Sequence, residues 1–228
     1  MSTKKTSGGF PLIVSALAIV ICLGIGVFIF KFILGAPSNF EGGDVDSHKP
    51  VNILGTMYMG GFIVPILIGF LLVVFTFAIE RFITIQKAFG RGKTDAFVAK
   101  INPTMDKEGK VHAIQKSLEE ATALELPMLS KNMVVISTMA SIGTLAGLIG
   151  TVVGMIRAFG ALAQAGAPDT GALATGISEA LVNTLVGILT SAFAIIFYNF
   201  FSNRVDQITY AMDEAGFSII QEFQATGK

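Results

Sequence analysis

Four long apolar stretches separated by polar connections set the pattern of this chain: residues 11–34, 57–79, 133–163 and 173–201. Each reaches or exceeds the roughly 20 residues of helix that a bilayer core requires. Lipid offers the backbone no hydrogen-bond partners, so every stretch is expected as a helix. The third and fourth are joined by Gly166-Ala167-Pro168-Asp169-Thr170-Gly171, a turn composition with no apolar run, which predicts an antiparallel hairpin. About a turn centred near Ala167 and Pro168, Thr151 and Thr184 are almost equidistant, and so are Arg157 and Glu179. One pair of hydroxyls should therefore share a depth, with one opposite-charge pair at a shallower depth.

The hairpin also carries the polar groups that call for a reason. Glu179, Asn183, Thr184, Gly187, Thr190 and Ser191 fall at offsets of 0, 4, 5, 8, 11 and 12, one side of a helix. Buried polar groups in a membrane are costly, so such a stripe faces a bundle interior, a water-filled path or a partner helix rather than lipid. Thr151 and Thr184 have two readings: hydroxyls bonded back to their own helix carbonyls, or hydroxyls lining a path. Glu179 likewise either relays protons or pairs with Arg157, whose long stem also suits snorkelling to the headgroups. Small residues line both helices. Gly143, Gly147, Gly150 and Gly154 make two G-x-x-x-G pairs, joined by Ala140 and Thr144, and Gly176, Ala180, Gly187 and Ser191 form a similar row. Rows of this kind let membrane helices approach closely.

Charge orients the four spans. The segment 81–131 holds Arg81, Lys87, Arg91, Lys93, Lys100, Lys107, Lys110, Lys116 and Lys131, whereas 35–57 holds Lys49 against Glu41, Asp44 and Asp46. By the positive-inside rule 81–131 is cytoplasmic, and with four spans both termini are too. Lys4 and Lys5 before the first stretch also fit a signal peptide, but the apolar run is about twice an ordinary signal core, so a retained span is expected. The resulting plan is an extra N-terminal span with an outside loop (1–57), a second span (58–80), a cytoplasmic helical segment (81–131), the hairpin (132–201) and a cytoplasmic C-terminal helix (202–228). Pro65 should kink the second span, and Glu80-Arg81 should anchor its end at headgroup level. Gly90, Gly92, Asn102-Pro103, Gly109 and Pro127 break 81–131 into several short helices. Within it, Val111, Ile114, Leu118 and Ala121 form one apolar face. Val205, Ile208, Met212, Ala215 and Ile219 extend the last helix beyond Arg204, packing either on neighbouring subunits or on 81–131.

Composition narrows the class. With 52% hydrophobic and 14% charged residues, the chain is an integral, all-α membrane protein in contact with lipid. A net charge of zero without a Lys/Arg cluster argues against nucleic acid. Cys22 is the single cysteine and excludes an intrachain disulfide. His48 and His112 lie in separate polar segments, so no metal centre or intramembrane Ser/His arrangement is expected, and no phosphate-cradling glycine loop occurs. Neither an enzyme nor a cofactor is expected.

Three blocks then carry a resemblance: Ala140-Ser141-Ile142, Gly147-Leu148-Ile149-Gly150-Thr151-Val152-Val153-Gly154-Met155-Ile156, and Gly176-Ile177-Ser178-Glu179-Ala180-Leu181-Val182-Asn183-Thr184-Leu185-Val186-Gly187 followed by Tyr198-Asn199. They resemble the MotA/TolQ/ExbB proton channels, nearest to the ExbB branch, over about residues 133–201. The resemblance implies a ring of five such subunits in the bacterial inner membrane around single-span ExbD-like partners. Proton flow would drive those partners and pass work to a TonB-like protein serving outer-membrane uptake. In that family the proton-carrying Asp belongs to the partner. The resemblance assigns Thr151 and Thr184 as pore-lining hydroxyls and Glu179 as the intramembrane glutamate. Two departures stand out: Thr144 where the family often has Pro, adding a third hydroxyl, and the extra first span, which would lie on the lipid side of the ring. A TolQ-like or motility stator, a self-contained small transporter, a purely structural scaffold and sodium in place of protons are the rival expectations. A transporter should carry its own midplane carboxylate or broken helix.

Overall fold

The computed structural model describes residues 12–45, 49–89, 109, 111–113, 115, 116, 119, 127, 129–164 and 170–226. They form five principal helices: α1 (Leu12–Ile29), α2 (Ile53–Tyr58), α3 (Val64–Phe89), α4 (Met133–Gln164) and α5 (Thr170–Thr226). Among the described residues the only β pairing is an isolated antiparallel bridge between Phe40 and Pro50. Four helical segments are long and apolar enough to cross a membrane: Ile13–Leu34, Gly61–Gln86, Met133–Ala163 and Leu173–Ser218. The first includes a π-helical turn, Phe30–Leu34, appended to α1.

Contacts divide the chain into two units, one of Leu12–Ala78 with Val135–Tyr198, the other of Met1–Pro11, Ile79–Val134 and Asn199–Lys228. In the former, α1 packs on α3 through glycines. A Cβ on Gly26 would lie 2.6 Å from Pro65 O and 2.7 Å from Gly69 N, so only hydrogen fits between the backbones. Cys22 is buried at the same contact, its Sγ 3.4 Å from Thr76 Oγ1. Leu34, Ile63, Val64, Leu67 and Ile68 form one apolar core with Val182 and Val186 of α5.

The connection from α1 to α3 is tied by two asparagines. Asn39 donates through Nδ2 to Ile33 O (2.7 Å) and Leu34 O (2.9 Å), capping carbonyls left open where the helix ends. Asn52 donates to Asn39 Oδ1 (2.9 Å), while its own Oδ1 accepts from Gly55 N (2.9 Å) and starts α2. Gly61, at φ +72°, then breaks α2 from α3, a backbone geometry that glycine adopts without strain. The helical segment here that is long and apolar enough to cross a membrane runs Gly61–Gln86. Pro65 is the second residue of α3 and produces no mid-helix kink, because the first turn has no use for its missing N–H.

In the other unit Glu80 and Arg81 are enclosed by protein rather than solvated: Arg81 is 0% exposed and Glu80 8%. Arg81 grips its neighbour with Nε to Oε2 and Nη2 to Oε1, both 2.7 Å, and donates through Nη1 to Leu129 O at 3.0 Å. Thr84 Oγ1 (3.3 Å) and Asn132 Nδ2 (3.4 Å) complete the carboxylate's shell. A buried ion pair is tolerated when its remaining donors and acceptors are filled, as these are. Asn132, left-handed at φ +63°, turns the chain directly into α4. Of the apolar face drawn over 111–121, Val111 is described, on a short helical stretch; Ile114, Leu118 and Ala121, like Gly90, Gly92 and Asn102-Pro103, lie outside the described residues. Beyond Arg204 the backbone of α5 stays helical to Thr226, with Val205 buried.

Candidate functional site

The hairpin of α4 and α5 is closed by its small residues, and that closeness creates the site. A Cβ on Gly187 would lie 2.7 Å from Gly143 O and 2.8 Å from Gly147 Cα. On Gly154 it would sit 3.0 Å from Ala180 N, and on Gly176 2.5 Å from Ala158 Cβ. Backbones this near bring short polar side chains on facing helices within bonding reach.

Thr151 and Thr184, both half-buried, are hydrogen-bonded to each other. They also turn towards backbone carbonyls: Thr151 Oγ1 lies 3.2 Å from Gly147 O and 3.5 Å from Ala180 O, and Thr184 Oγ1 3.2 Å from Ala180 O. Two hydroxyl protons thus face more acceptor directions than they can serve at once, so the bond between them can run either way. The back-bonded reading thus holds for both hydroxyls, and each also bonds across the hairpin.

Thr144 donates to Ser191 Oγ at 2.7 Å, seven residues from Thr151 on α4 and seven from Thr184 on α5. Thr190, by contrast, bonds back to Val186 O at 2.8 Å and is buried within its own helix. Towards the turn, Arg157 Nη1 meets Glu179 Oε1 at 2.8 Å, with side-chain exposures of 51% and 10%. The guanidinium lies over the Phe62 ring, 5.1 Å from its centre, a cation–π contact. Gly61 borders the same carboxylate: a side chain there would collide with Glu179 Oε1. Glu179 is therefore held between Arg157 and the start of α3. Sequence reasoning had not singled out Gly61 or Phe62, and the one available signal, Gly60-Gly61 ahead of an apolar run, says only that a turn occurs there.

Asn183 lies fully inside the structure, 0% exposed, against Gly150, where any side chain would collide with its Cβ, Cγ and Nδ2. Neither Nδ2 nor Oδ1 has a hydrogen-bond partner. Among the described residues no group of His, Cys, Asp and Glu is placed to hold a metal ion.

These features define a polytopic helical membrane protein whose last two spans form a glycine-packed hairpin, with hydroxyls paired across it and an ion pair nearer the turn. The chain belongs to the MotA/TolQ/ExbB proton channel family, whose pattern matches residues 90–214, more than half of its length. That is a family of proton channels and not of enzymes. Similar proteins include the ExbB-like 3 biopolymer transport protein of Synechocystis sp., 36% identical over 87 residues (37% of this chain, 41% of that protein). The Tol-Pal system protein TolQ of Pseudomonas aeruginosa is 26% identical over 141 residues (62% and 59%), and the biopolymer transport protein ExbB of Pseudomonas putida 30% over 102 (45% and 31%). The matched stretch spans less than two thirds of each of these relatives.

Proposed function

We propose that this protein is an ExbB-like channel subunit of a motor in the bacterial inner membrane, driven by proton flow. It forms a pentameric ring around single-span ExbD-like partners and, through a TonB-like protein, energises transport across the outer membrane. The observation that carries this reading is the Thr151/Thr184 pair, bonded across the hairpin and only partly buried. Among the described residues no carboxylate lies at that depth on α4 or α5, Glu179 being nearer the turn. A hydroxyl pair that accepts and donates but does not titrate suits a path whose titrating carboxylate arrives on a partner helix. The cation-rich 81–131 segment supports cytoplasmic termini.

The test is the native mass of the chain purified after co-expression with a single-span, Asp-bearing protein. Several copies of this chain with fewer copies of that protein, and proton flux lost in T151V or T184V, support the motor; a partner-free monomer or dimer overturns it. A TolQ-like role in envelope constriction is the second reading, favoured by the longer stretch shared with the Pseudomonas aeruginosa protein. Rescue of outer-membrane uptake, rather than of division defects, in deletion strains separates the two.

A further inference from the structure

Past its apolar stretch, α5 carries a face that its own chain leaves open. Val205, the first residue of the stripe expected to pack beyond Arg204, is buried, and so is Phe201 before it. About 100° round the helix from Val205 runs a different row, Asp206, Tyr210, Asp213 and Phe217, spaced four, three and four residues apart. All four are exposed, Tyr210 at 70% and Phe217 at 69%, and exposed Glu214 borders them. That spacing is the seam along which one helix meets another. Two large rings grouped on one exposed face mark a contact surface, and the carboxylates between them make it a polar one.

Charge decides what meets it. From Val205 to Gly227 the chain holds Asp206, Asp213, Glu214 and Glu222 and no Lys or Arg, the reverse of the cations that ordinarily follow a span on the cytoplasmic side. None of Asp206, Asp213 and Glu214 is in an ion pair with a described residue. Arg204, the nearest cation on the helix, lies instead over the Phe200 ring, 5.5 Å from its centre, and donates to Gln207 Oε1 at 3.3 Å. The same face of a second copy would set carboxylates against carboxylates, and anionic lipid headgroups would be repelled likewise. Residues 82–131 of another copy are nearly balanced, with eight Lys/Arg against six Asp/Glu. A separate span ending on the cytoplasmic side, by contrast, concentrates Lys/Arg within about 15–20 residues of its end. Asp206 and Phe217 lie five and sixteen residues past Phe201, where the apolar stretch of α5 ends, and so fall in the same window.

We infer that the Asp206/Tyr210/Asp213/Phe217 face of α5 docks a basic segment that borders the cytoplasmic end of the single-span partner's helix. Its cations meet the carboxylates while their alkyl stems lie over the two rings, whose faces attract the same charges. The inference rests on the proposed channel-subunit function and adds to it a second point of attachment, outside the membrane and apart from the hydroxyl pair.

Site-specific photo-cross-linking in the full chain, co-expressed with its single-span partner, tests this. With p-benzoylphenylalanine in place of Tyr210, the cross-linked peptide should come from the Lys/Arg-bearing stretch next to the partner's span. The same probe in place of Ala211, exposed but about 100° off the seam, should give little product. Adding D206K and D213K should lower the Tyr210-site yield about fivefold or more, and exchanging the partner's cations in that stretch for Glu should restore it. D206N with D213N, which keeps the side-chain volumes, serves if the reversed variant does not insert. Cross-links to 81–131 of another copy or to lipid, or a yield indifferent to the charges, overturn the inference while the partner still co-purifies. If no single-span protein co-purifies with the unsubstituted chain, the channel-subunit function falls, and this inference with it.

Discussion

Replacing Gly187 by alanine should loosen the hairpin by an amount that a second glycine calibrates. At Gly187 the new methyl would lie 2.7 Å from Gly143 O and 2.8 Å from Gly147 Cα, both backbone atoms of α4 that no rotamer change can move. At Gly160, also on α4, a Cβ meets nothing within 4 Å. Alanine favours a helix over glycine by about 1 kcal/mol at either site, so that gain cancels when the two variants are compared. What is left is the cost of parting two backbones by more than half an ångström, about 1–3 kcal/mol for overpacking of this kind. Equilibrium unfolding in bicelles by steric trapping should place G160A level with or above the unsubstituted protein, and G187A below G160A by that margin. A difference under about 0.5 kcal/mol, the usual scatter between independent sites, would refute the claim that backbone contact at Gly187 sets the helix separation. Because Thr184 lies one turn from Gly187, the same variant should also lose proton flux.

T151V should abolish proton flux in vesicles while T151S retains it, since the serine keeps a hydroxyl able to donate and accept; equal flux from both would remove the hydroxyl from the path. R81M leaves Glu80 buried without its guanidinium and frees Leu129 O, and should cost about 3–5 kcal/mol in unfolding measurements, with R81K failing to rescue because an ammonium cannot reproduce the fork. N39A removes two carbonyl caps and the Asn52 contact; hydrogen exchange should rise at Gly35 and Val51 while α4 is unchanged, and uniform exchange along the chain would contradict a local tie. R157A should cost more than the roughly 0–1 kcal/mol of an exposed pair, because it leaves the Glu179 carboxylate, 10% exposed, without its guanidinium, and a loss within that range in thermal unfolding would contradict this.

Much of the hairpin was legible because two periodicities meet there. Counting outward from Ala167 and Pro168 pairs Thr151 with Thr184 and Arg157 with Glu179 by arithmetic alone, and glycine spacing tells which faces approach. The single-sequence pattern failed where the cause is long-range. One acceptor of Arg81 is Leu129 O, 48 positions along the chain, so charge and position alone could not show that protein encloses it. Pro65 was read as a kink because the apolar run starts at 57, yet Gly61, in a left-handed conformation, ends one helix and lets another start just ahead of the proline. The Asn39/Asn52 tie joins side chains of a connection with no periodicity to read. Asn183 fell on the polar stripe, but the stripe could not tell an amide facing a path from one enclosed against Gly150.

The spacing of the hydroxyl bridges limits how the hairpin can move. Thr151 to Thr184 and Thr144 to Ser191 sit seven residues apart on both helices, about 10 Å of rise on each, and between them Gly187 rests on the backbone of Gly143 and Gly147. Sliding α5 along α4 by one turn would uncouple both bridges together and drive side chains into the glycine seat, with no intermediate register in which either is remade. The hairpin thus behaves as a keyed shaft rather than a sliding rail. Force applied to it is transmitted as tilt or rotation of both helices together, while the helices keep their register.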